Sequence, residues 1–233
     1  MADDLAASHP EPPLPDEPPE TARFTTLDLM YGAVAAEQEG NLEVALRIAE
    51  TAARRGNVSG MTTAGRLAKD LGNLDAARHW STAAADAGEV AAMYNLGLLH
   101  LEAGELARSR YWFERVVEEG EVSGYPALVE LFERAGDDSG ARHWAAEGAR
   151  HDEPRCLEVR AIQLMSDSID NVDTALPMLE RAAELGNVNA MCIAGMTHFR
   201  VRDDRAKARE WLLRAEAAGD PDGRRKLIEY GLA

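Results

Sequence analysis

The tetrapeptide Ala-Arg-His-Trp occurs twice in the chain and brings together three side chains that could do chemistry. One copy ends at Trp80 and the other at Trp144. A histidine can act as an acid or a base, an arginine can hold an anion, and a tryptophan offers a flat surface for stacking. The two copies are therefore either fragments of an active site or one structural position that recurs along the chain.

The spacing of the tryptophans favours the structural interpretation. Trp80, Trp112 and Trp144 lie 32 residues apart. The same register places a bulky apolar residue in six segments: Ile48, Trp80, Trp112, Trp144, Met178 and Trp211. A glycine follows eight residues after each of these anchors, except in the fourth segment, where Asp152 takes its place. Because isoleucine and methionine can replace tryptophan, the position requires bulk, and the pattern predicts six structural repeats.

Each repeat contains two segments with helical periodicity. In the third repeat, Ser109, Phe113 and Val116 recur at spacings of three and four residues, as one face of a helix requires. A glycine between the segments suits a left-handed helix end. Short polar residues at or just after this turn are expected to cap the next helix: Asn41, Asn73, Asp137 and Asp203. One helical hairpin cannot bury its apolar face alone, so neighbouring hairpins must stack into an all-α solenoid of about thirteen helices.

The composition of the chain changes near residue 23. Residues 1–22 hold six of the ten prolines and six acidic residues but no basic one. Such a polar, proline-rich segment cannot bury enough surface to offset its ordering entropy, although a proline-rich ligand for a partner domain is an alternative. We therefore predict a disordered acidic tail over residues 1–22, a helical-repeat domain over 23–220 and a C-terminal capping helix over 221–233.

The net charge and the spacing of the cysteines exclude several classes of function. Asp and Glu total 41 against 25 Lys and Arg, which gives a formal net charge of −16. This charge repels phosphate backbones and anionic lipids, so we expect neither nucleic acid nor a membrane as a partner. The acidic start and the lack of an apolar run of about 20 residues predict a cytoplasmic protein. Cys156 and Cys192 lack the spacing of a metal or redox motif and are expected to be free, buried thiols.

No recognisable catalytic or metal-binding motif is present in the sequence. His79 and His143 lie two repeats apart, and at about 10 Å per packed helix layer they are too distant to share a metal. The glycines separate helices and form no phosphate-binding loop, and neither a GxSxG motif nor a cysteine–histidine pair stands out. We therefore expect no metal, no cofactor and no enzymatic activity.

The repeats resemble a known class of helical-repeat proteins. The third repeat, "MYNLGLLHLEAGELARSRYWFERVVEEG", is similar to tetratricopeptide repeats, and "AAADAGEVAAMYNLG" and "LERAAELGNVNAM" look more like the Sel-one-like subgroup. The resemblance covers roughly residues 24–220. It implies a right-handed α-solenoid of antiparallel helix hairpins, with repeats of 32–34 residues, that recruits proteins or peptides on its concave face and has no catalytic activity of its own.

In that class, the first helix of each repeat lines the binding groove. Carrying this pattern over residue by residue gives a candidate partner-binding set: Thr62, Arg66, Lys69, Tyr94, Asn95, Leu98, Glu102 and Arg134. Asn95 matches the asparagine with which peptide-binding members hold a ligand backbone. Arg66 and Lys69 could hold a ligand carboxylate, while Tyr94 and Leu98 supply apolar contact. The resemblance therefore predicts a groove, in repeats two to four, for a peptide segment.

The sequence thus favours a non-catalytic protein–protein interaction module, an adaptor or scaffold whose partner is a protein or peptide. Two alternatives remain open at this point: a regulatory subunit of one partner enzyme, and a sensor of a small ligand. A monomer is the expected state, although the sequence does not fix the oligomeric state. Whether the acidic tail occupies the groove is also left open.

Overall fold

The computed structural model describes residues 24–233, so the predicted tail lies outside the described residues. Between residues 24 and 233 the chain forms helices joined by turns, without strands. The thirteen α-helices of this part are α1 (Thr26–Gln38), α2 (Leu42–Arg54), α3 (Val58–Asp70), α4 (Leu74–Asp86), α5 (Val90–Glu102), α6 (Leu106–Glu118), α7 (Gly124–Arg134), α8 (Asp138–Arg150), α9 (Pro154–Asp167), α10 (Val172–Glu184), α11 (Val188–Arg200), α12 (Arg205–Ala217) and α13 (Pro221–Glu229). The predicted all-α architecture of about thirteen helices is confirmed.

The helices pair as the six predicted repeats require. The odd-numbered helices α1 to α11 are the first helices of six hairpins, and the even-numbered helices α2 to α12 are the second helices. Each of the six anchors is the seventh residue of a second helix and is buried or partly buried. A short 3-10 helix, Ile169–Asn171, separates α9 from α10 and accounts for the greater length of the fifth repeat.

Residues 24–119 form the first of two compact units. Within this unit, each helix packs against the next one in the chain. Its core is rich in alanine and contains few large side chains: Ala33, Ala45, Ala49, Ala64, Leu67, Ala77, Ala84, Met93, Leu96, Phe113 and Val116. Since small residues fill most of the core, the paired helices approach each other closely.

Two glycines show how close the paired helices of the first unit lie. A Cβ atom at Gly65 of α3 would stand 2.5 Å from the hydroxyl oxygen of Ser81 on α4. A Cβ atom at Gly97 of α5 would collide with the ring of Phe113 on α6. The hydroxyl of Ser109 also donates a buried hydrogen bond of 2.8 Å to the carbonyl of Gly97. The lack of a side chain at Gly65 and Gly97 therefore allows the paired helices to approach closely.

Residues 120–233 form the second compact unit. Its largest core cluster lies among α9 to α13 and includes Leu157, Leu176, Leu179, Trp211, Leu212, Leu227 and Tyr230. The ring of Tyr230 stacks on that of Phe199 with centroids 4.0 Å apart. Arg209 donates a hydrogen bond of 2.9 Å to the carbonyl of Leu232. The chain after α12 is thus held against the preceding repeat by ring stacking and by hydrogen bonds to its backbone.

The turns between helices repeat one hydrogen-bonding pattern. After α4, the amide of Gly88 donates to the carbonyl of Ala85 (2.9 Å), and the amide of Glu89 donates to that of Ala84 (3.0 Å). This pair of bonds is a Schellman motif, which needs a residue with positive φ. Glycine fills that place in most of these turns, and Asp152 (φ 55°) fills it in one. Asp203 (φ 52°) also has positive φ, but in its turn the amide of Asp204 donates to the carbonyl of His198 instead. The register predicted for the fourth repeat therefore holds although aspartate replaces glycine there.

The predicted helix caps are confirmed in part. The side chain of Asn73 accepts a hydrogen bond from the amide of Ala76, and that of Asp137 accepts one from Gly140. Asn41 stands at the N-cap of α2 without such a bond. The expectation for Asp203 was wrong, because Asp204 caps α12 by accepting from the amide of Lys207 at 3.0 Å. Asp203 itself occupies the left-handed turn, one residue earlier.

This turn geometry predicts opposite effects for two substitutions. Asp203→Gly is expected to raise the free energy of unfolding by about 0.5–1 kcal/mol, because glycine adopts positive φ without strain from a Cβ atom. Gly88→Ala is expected to lower it by about 1–2 kcal/mol. No atom lies within 4 Å of a Cβ built at Gly88, so backbone strain alone is tested there. Urea denaturation followed by circular dichroism measures both changes, and two unchanged midpoints would contradict the assigned turn conformation.

Candidate partner-binding face

Repeat register defines one exposed face of the first unit. Three positions recur at intervals of 32 residues on α1, α3 and α5, and their nine residues are exposed or partly exposed: Leu27, Ser59 and Ala91; Tyr31, Thr63 and Asn95; Val34, Arg66 and Leu98. We call this surface the first-helix face. Within each helix the three positions are spaced by four and three residues, so they lie on one side of it.

Seven of the eight predicted site residues lie on two helices of this unit. Thr62, Arg66 and Lys69 are on α3, and Tyr94, Asn95, Leu98 and Glu102 are on α5. Arg134 is on α7 in the second unit, where it forms an exposed ion pair of 2.6 Å with Glu130. The structure therefore groups the residues of repeats two and three within one compact unit.

Ion pairs connect the first helices across this face. Arg66 of α3 donates to Glu37 of α1 at 2.7 Å and to Asp70 of its own helix at 3.2 Å. The hydrogen bond to Glu37 raises the pKa of the Arg66 guanidinium. Lys69 of α3 lies 2.8 Å from Glu102 of α5. Both predicted cations thus already hold carboxylates of the chain itself, and a ligand carboxylate must exchange with them.

Such an exchange is energetically accessible. The side chains of Arg66 and Glu102 are each about half exposed, and exposed ion pairs contribute only about 0–1 kcal/mol. A partner carboxylate can therefore replace Glu37 or Glu102 with little loss of free energy. Equally, a partner cation can bind Glu37, Asp70 or Glu102 in place of Arg66 or Lys69. The face is consequently able to accept either sign of charge at its centre.

The other predicted residues differ in how accessible their side chains are to a partner. The hydroxyl of Thr62 donates to the carbonyl of Val58 at 3.2 Å and so serves its own helix. The ring of Tyr94 packs on that of Phe113 with centroids 5.6 Å apart, which makes Tyr94 partly a core residue. Asn95 and Leu98 are partly exposed on the first-helix face. Of the predicted residues of α5, these two are the best placed to contact a partner.

The strongest apolar feature of the face was missed by sequence reasoning. Leu27, Tyr31 and Val34 of α1 are 63%, 69% and 46% exposed. Their spacing of four and three residues was visible in the sequence, and Tyr31 occupies the repeat position of Asn95. Without coordinates, however, the same spacing is equally typical of a buried helix face. We call these three residues the α1 stripe.

The two Ala-Arg-His-Trp copies are structural. Each histidine ring lies edge-on to the neighbouring tryptophan, with centroids 4.7 Å apart for His79 and Trp80 and 5.1 Å apart for His143 and Trp144. The indole nitrogen of Trp80 donates to Glu50 of α2 at 3.2 Å. Trp80 therefore connects its repeat to the preceding one, whereas the ring of Trp144 lies 6.3 Å from that of Tyr125 in its own repeat. In residues 24–233, no three His, Cys, Asp or Glu side chains lie close enough together to hold a metal ion.

Two other histidines are buried beside carboxylates. The Nδ1 atom of His100 lies 2.6 Å from Glu105, and the Nε2 atom of His198 lies 2.9 Å from Glu180. The hydrogen bond from His100 lowers the pKa of the Glu105 carboxyl group. His198 and Glu180 line an open depression of about 430 Å³ in the second unit. In the same depression Arg202 pairs with Asp173, Lys207 lies 3.8 Å from Glu180, and Asp204 accepts a hydrogen bond from the amide of Lys207.

Both cysteines are free and buried, as expected. Burial raises the pKa of the Cys156 thiol, and it raises that of Cys192 to about 11. At pH 8 only about one thiol in a thousand with a pKa near 11 is ionised, and the thiolate is the reactive form. Neither group is therefore suited to act as a nucleophile.

This predicts slow thiol chemistry in the folded protein. Ellman's reagent at pH 8 is expected to label both cysteines at least about a hundredfold more slowly in buffer than in urea, because folding removes both thiolate and access. Absorbance at 412 nm follows the reaction. A fast phase in buffer for one thiol would contradict the assigned burial, and Cys156→Ser and Cys192→Ser would identify which thiol is responsible.

Comparison with known proteins identifies the fold. No family profile matches the sequence. A search of characterised protein sequences likewise gives no significant match. A Sel1 repeat protein from Oxalobacter formigenes superposes on 90% of this chain and 67% of its own, with a TM-score of 0.72 and 20% sequence identity. A tetratricopeptide repeat protein from Parabacteroides merdae matches 89% of this chain and 99% of its own, with a TM-score of 0.54 and 15% identity.

Both superpositions have a TM-score above 0.5 and extend over about nine tenths of this chain. None of the helices between residues 24 and 233 combines the length and hydrophobicity that a membrane span requires. The resemblance of the sequence to Sel-one-like and tetratricopeptide repeats is confirmed at the level of fold. In its described residues, the chain has an all-α helical-repeat fold similar to that of Sel1 and tetratricopeptide repeat proteins.

Proposed function

We propose that the protein is a non-catalytic interaction module, an adaptor or scaffold that binds a segment of a protein partner on the first-helix face. The observation that carries this proposal is the face itself. Its nine positions on three first helices include exposed apolar groups and a partly exposed amide, and the ion pairs Arg66–Glu37 and Lys69–Glu102 connect the same helices. Apolar anchors within a polar rim are what protein-binding surfaces provide.

The roles of individual residues follow from their surroundings. Leu98 and the accessible edge of Tyr94 supply apolar contact, and Asn95 offers both a donor and an acceptor to a partner backbone. Arg66, Lys69 and Glu102 recognise charged groups of the bound segment by exchanging their present ion-pair partners for them. Thr62 shapes the surface between them.

Two further properties belong to this proposal. Free, buried thiols suit a reducing compartment, so we place the protein in the cytoplasm. We also propose that it acts as a monomer and needs no cofactor. A regulatory subunit would share this face, but it would require a folded partner rather than a short segment. Competition by peptides from the captured partner separates the two.

A crosslinking pull-down from native lysate tests the proposal. The test variant combines Arg66→Glu, Asn95→Ala and Leu98→Glu on the first-helix face. A matched control combines Arg108→Glu, Thr82→Ala and Leu74→Glu, which are exposed on second helices of the same unit. Both variants must retain the helicity and melting of the wild type. We expect a partner that wild type and control capture and the test variant loses; retention by all three would contradict the proposal.

A further inference from the structure

Helix α1, the first helix of the described residues, is apolar on two opposite faces. Leu29, Ala33 and Ala36 are buried on one side of α1, which packs against α2. The α1 stripe, Leu27, Tyr31 and Val34, is exposed on the other side. Terminal repeats of solenoids generally present a polar outer surface. A contiguous exposed apolar patch in this position therefore indicates an interaction site.

The charges along α1 are acidic. The helix contains Asp28 and Glu37 and ends at the C-cap residue Glu39, and it holds no lysine or arginine. Hydrogen bonds from Thr25 lower the pKa of the Asp28 carboxyl group, which keeps it ionised. Glu37 and Glu39 stand at the negative end of the helix dipole, where acidic groups are unfavourable and a cation is favoured.

Two cations that contact α1 or the residue before its N-cap are already engaged. Arg66 bridges Glu37 and Asp70, with distances of 2.7 and 3.2 Å. Arg55 donates to the carbonyl of Phe24, just before the first turn of α1. The α1 stripe is therefore an apolar strip along an acidic helix, with its most negative end beyond Val34.

Charge decides among three possible occupants of the stripe. Residues 1–22 precede α1 and could reach it, but they carry six acidic residues and no basic one. A second copy of the chain would bring an acidic α1 against an acidic α1. Both arrangements place like charges beside an apolar contact, which costs free energy. A basic partner gains electrostatic attraction as well as apolar burial.

The geometry of the stripe fits a helix. From Leu27 to Val34 the stripe covers eight residues, a rise of about 10 Å along α1, or two helical turns. A partner helix can contact this length with apolar side chains at positions i, i+3 or i+4, and i+7. Its basic residues would then lie over the rim formed by Asp28, Glu37 and Glu39.

We propose that the α1 stripe binds a basic amphipathic helix of the partner protein. This proposal rests on the interaction function proposed above and names the class of segment that is bound. Leu27 and Tyr31 receive the apolar side chains of that helix, and its lysines or arginines pair with Glu37 and Glu39. The net charge of −16 steers such a segment toward the protein, so association is expected to weaken as salt increases.

Fluorescence anisotropy with defined peptides tests this proposal on the full chain. The probe is a labelled peptide of roughly 18 residues, about five helical turns, with leucine at i, i+3, i+4 and i+7 and lysine elsewhere. A second peptide has the same composition in an order that gives no apolar face. A third keeps the leucine pattern and carries glutamate instead of lysine.

The substitutions in the protein variants leave the net charge unchanged. Non-specific attraction of a basic peptide is therefore the same for the wild type and for both variants. The test variant is Leu27→Ser with Tyr31→Ser. The matched control is Leu74→Ser with Ile228→Ser, two apolar residues that are exposed elsewhere. We expect the amphipathic basic peptide to bind wild type and control equally, and the test variant at least about tenfold more weakly. The other two peptides are expected to bind wild type at least about tenfold more weakly than the probe does.

Several results would overturn this assignment. Equal binding of the probe to wild type and test variant would place the contact elsewhere. Binding that appears only after deletion of residues 1–22 would show that the chain's own segment covers the stripe. A concentration-dependent dimer that the test variant abolishes would assign the stripe to a second copy. A natural partner that is lost with the Arg66, Asn95 and Leu98 changes but retained by the stripe variant would leave the interaction function standing and refute only this proposal.

Discussion

Phe113→Ala is expected to lower the free energy of unfolding by about 3–5 kcal/mol, the range seen when a buried aromatic side chain is removed. The Phe113 side chain is fully buried between α5 and α6 and fills the space that Gly97 leaves without a side chain. Its removal creates a cavity that the backbone cannot close, because the buried bond from Ser109 holds the carbonyl of Gly97 in place. Urea denaturation followed by circular dichroism gives the difference.

The complementary substitution tests the same contact from the other side. Gly97→Ala places a methyl group into the Phe113 ring and is expected to cost about 1–3 kcal/mol through overpacking. The double variant Gly97→Ala with Phe113→Leu should lose less free energy of unfolding than the sum of the losses in the two single variants. Gly32→Ala in α1 is the matched control, because only Ile48 atoms at 3.8 and 3.9 Å lie near its added Cβ. Strictly additive costs in the double variant would show that the glycine is not required for the approach of α5 and α6.

Glu158→Ala is expected to lower the free energy of unfolding by about 2–4 kcal/mol, because it removes a buried acceptor and leaves its donors unpaired. The carboxylate of Glu158 on α9 is 1% exposed. It accepts hydrogen bonds from Asn187 and Asn189 at the start of α11, and from Arg155 on its own helix. One acidic side chain thereby links two first helices of the second unit.

A graded series separates the role of charge from that of hydrogen bonding. Glu158→Gln retains the size and one acceptor and should cost about half as much as Glu158→Ala. Glu130→Ala removes an exposed carboxylate that pairs with Arg134, and it should change stability by less than about 0.5 kcal/mol. Thermal and urea unfolding of the three variants gives the comparison. Equal small effects at both positions would mean that Glu158 does not hold α9 to α11.

The repeat architecture was predictable because it depends on residue types at fixed intervals. The left-handed turns require glycine or a tolerant residue, and the anchors require bulk, so both recur visibly along the chain. Asp152 shows that the register is set by the hydrogen-bonded turn and not by glycine alone. Asp203 shows the limit of this reasoning, since two adjacent aspartates left the cap and the turn undistinguished until the backbone was known.

The polar contacts between repeats were not predictable in the same way. Glu37 and Arg66, Asp152 and Arg181, and Asp173 and Arg202 are each separated by 29 residues and each form an ion pair. Equivalent positions of neighbouring repeats are 32 residues apart, so a separation of 29 means that the paired residues occupy different positions in their repeats. Which positions meet depends on how far each helix is displaced along its neighbour, and sequence periodicity does not reveal this. For this reason Arg66 and Lys69 were predicted as ligand-binding cations without their intramolecular partners.

The α1 stripe illustrates a third limit. Apolar residues on both sides of a helix indicate burial in most contexts. Only the structure shows that the side bearing Tyr31 has no covering element among the described residues. The candidate face therefore combines residues that sequence reasoning identified on α3 and α5 with residues of α1 that it assigned no role.

Hydrogen-exchange mass spectrometry of the chain with and without its captured partner tests the central claim most directly. If the first-helix face is the binding surface, the partner will slow the exchange of backbone amides in α1, α3 and α5. Exchange in α2, α4 and α6 will stay unchanged. The same protection should be absent in the Arg66→Glu, Asn95→Ala, Leu98→Glu variant. Protection confined to the second helices, or to α13, would contradict the proposed face.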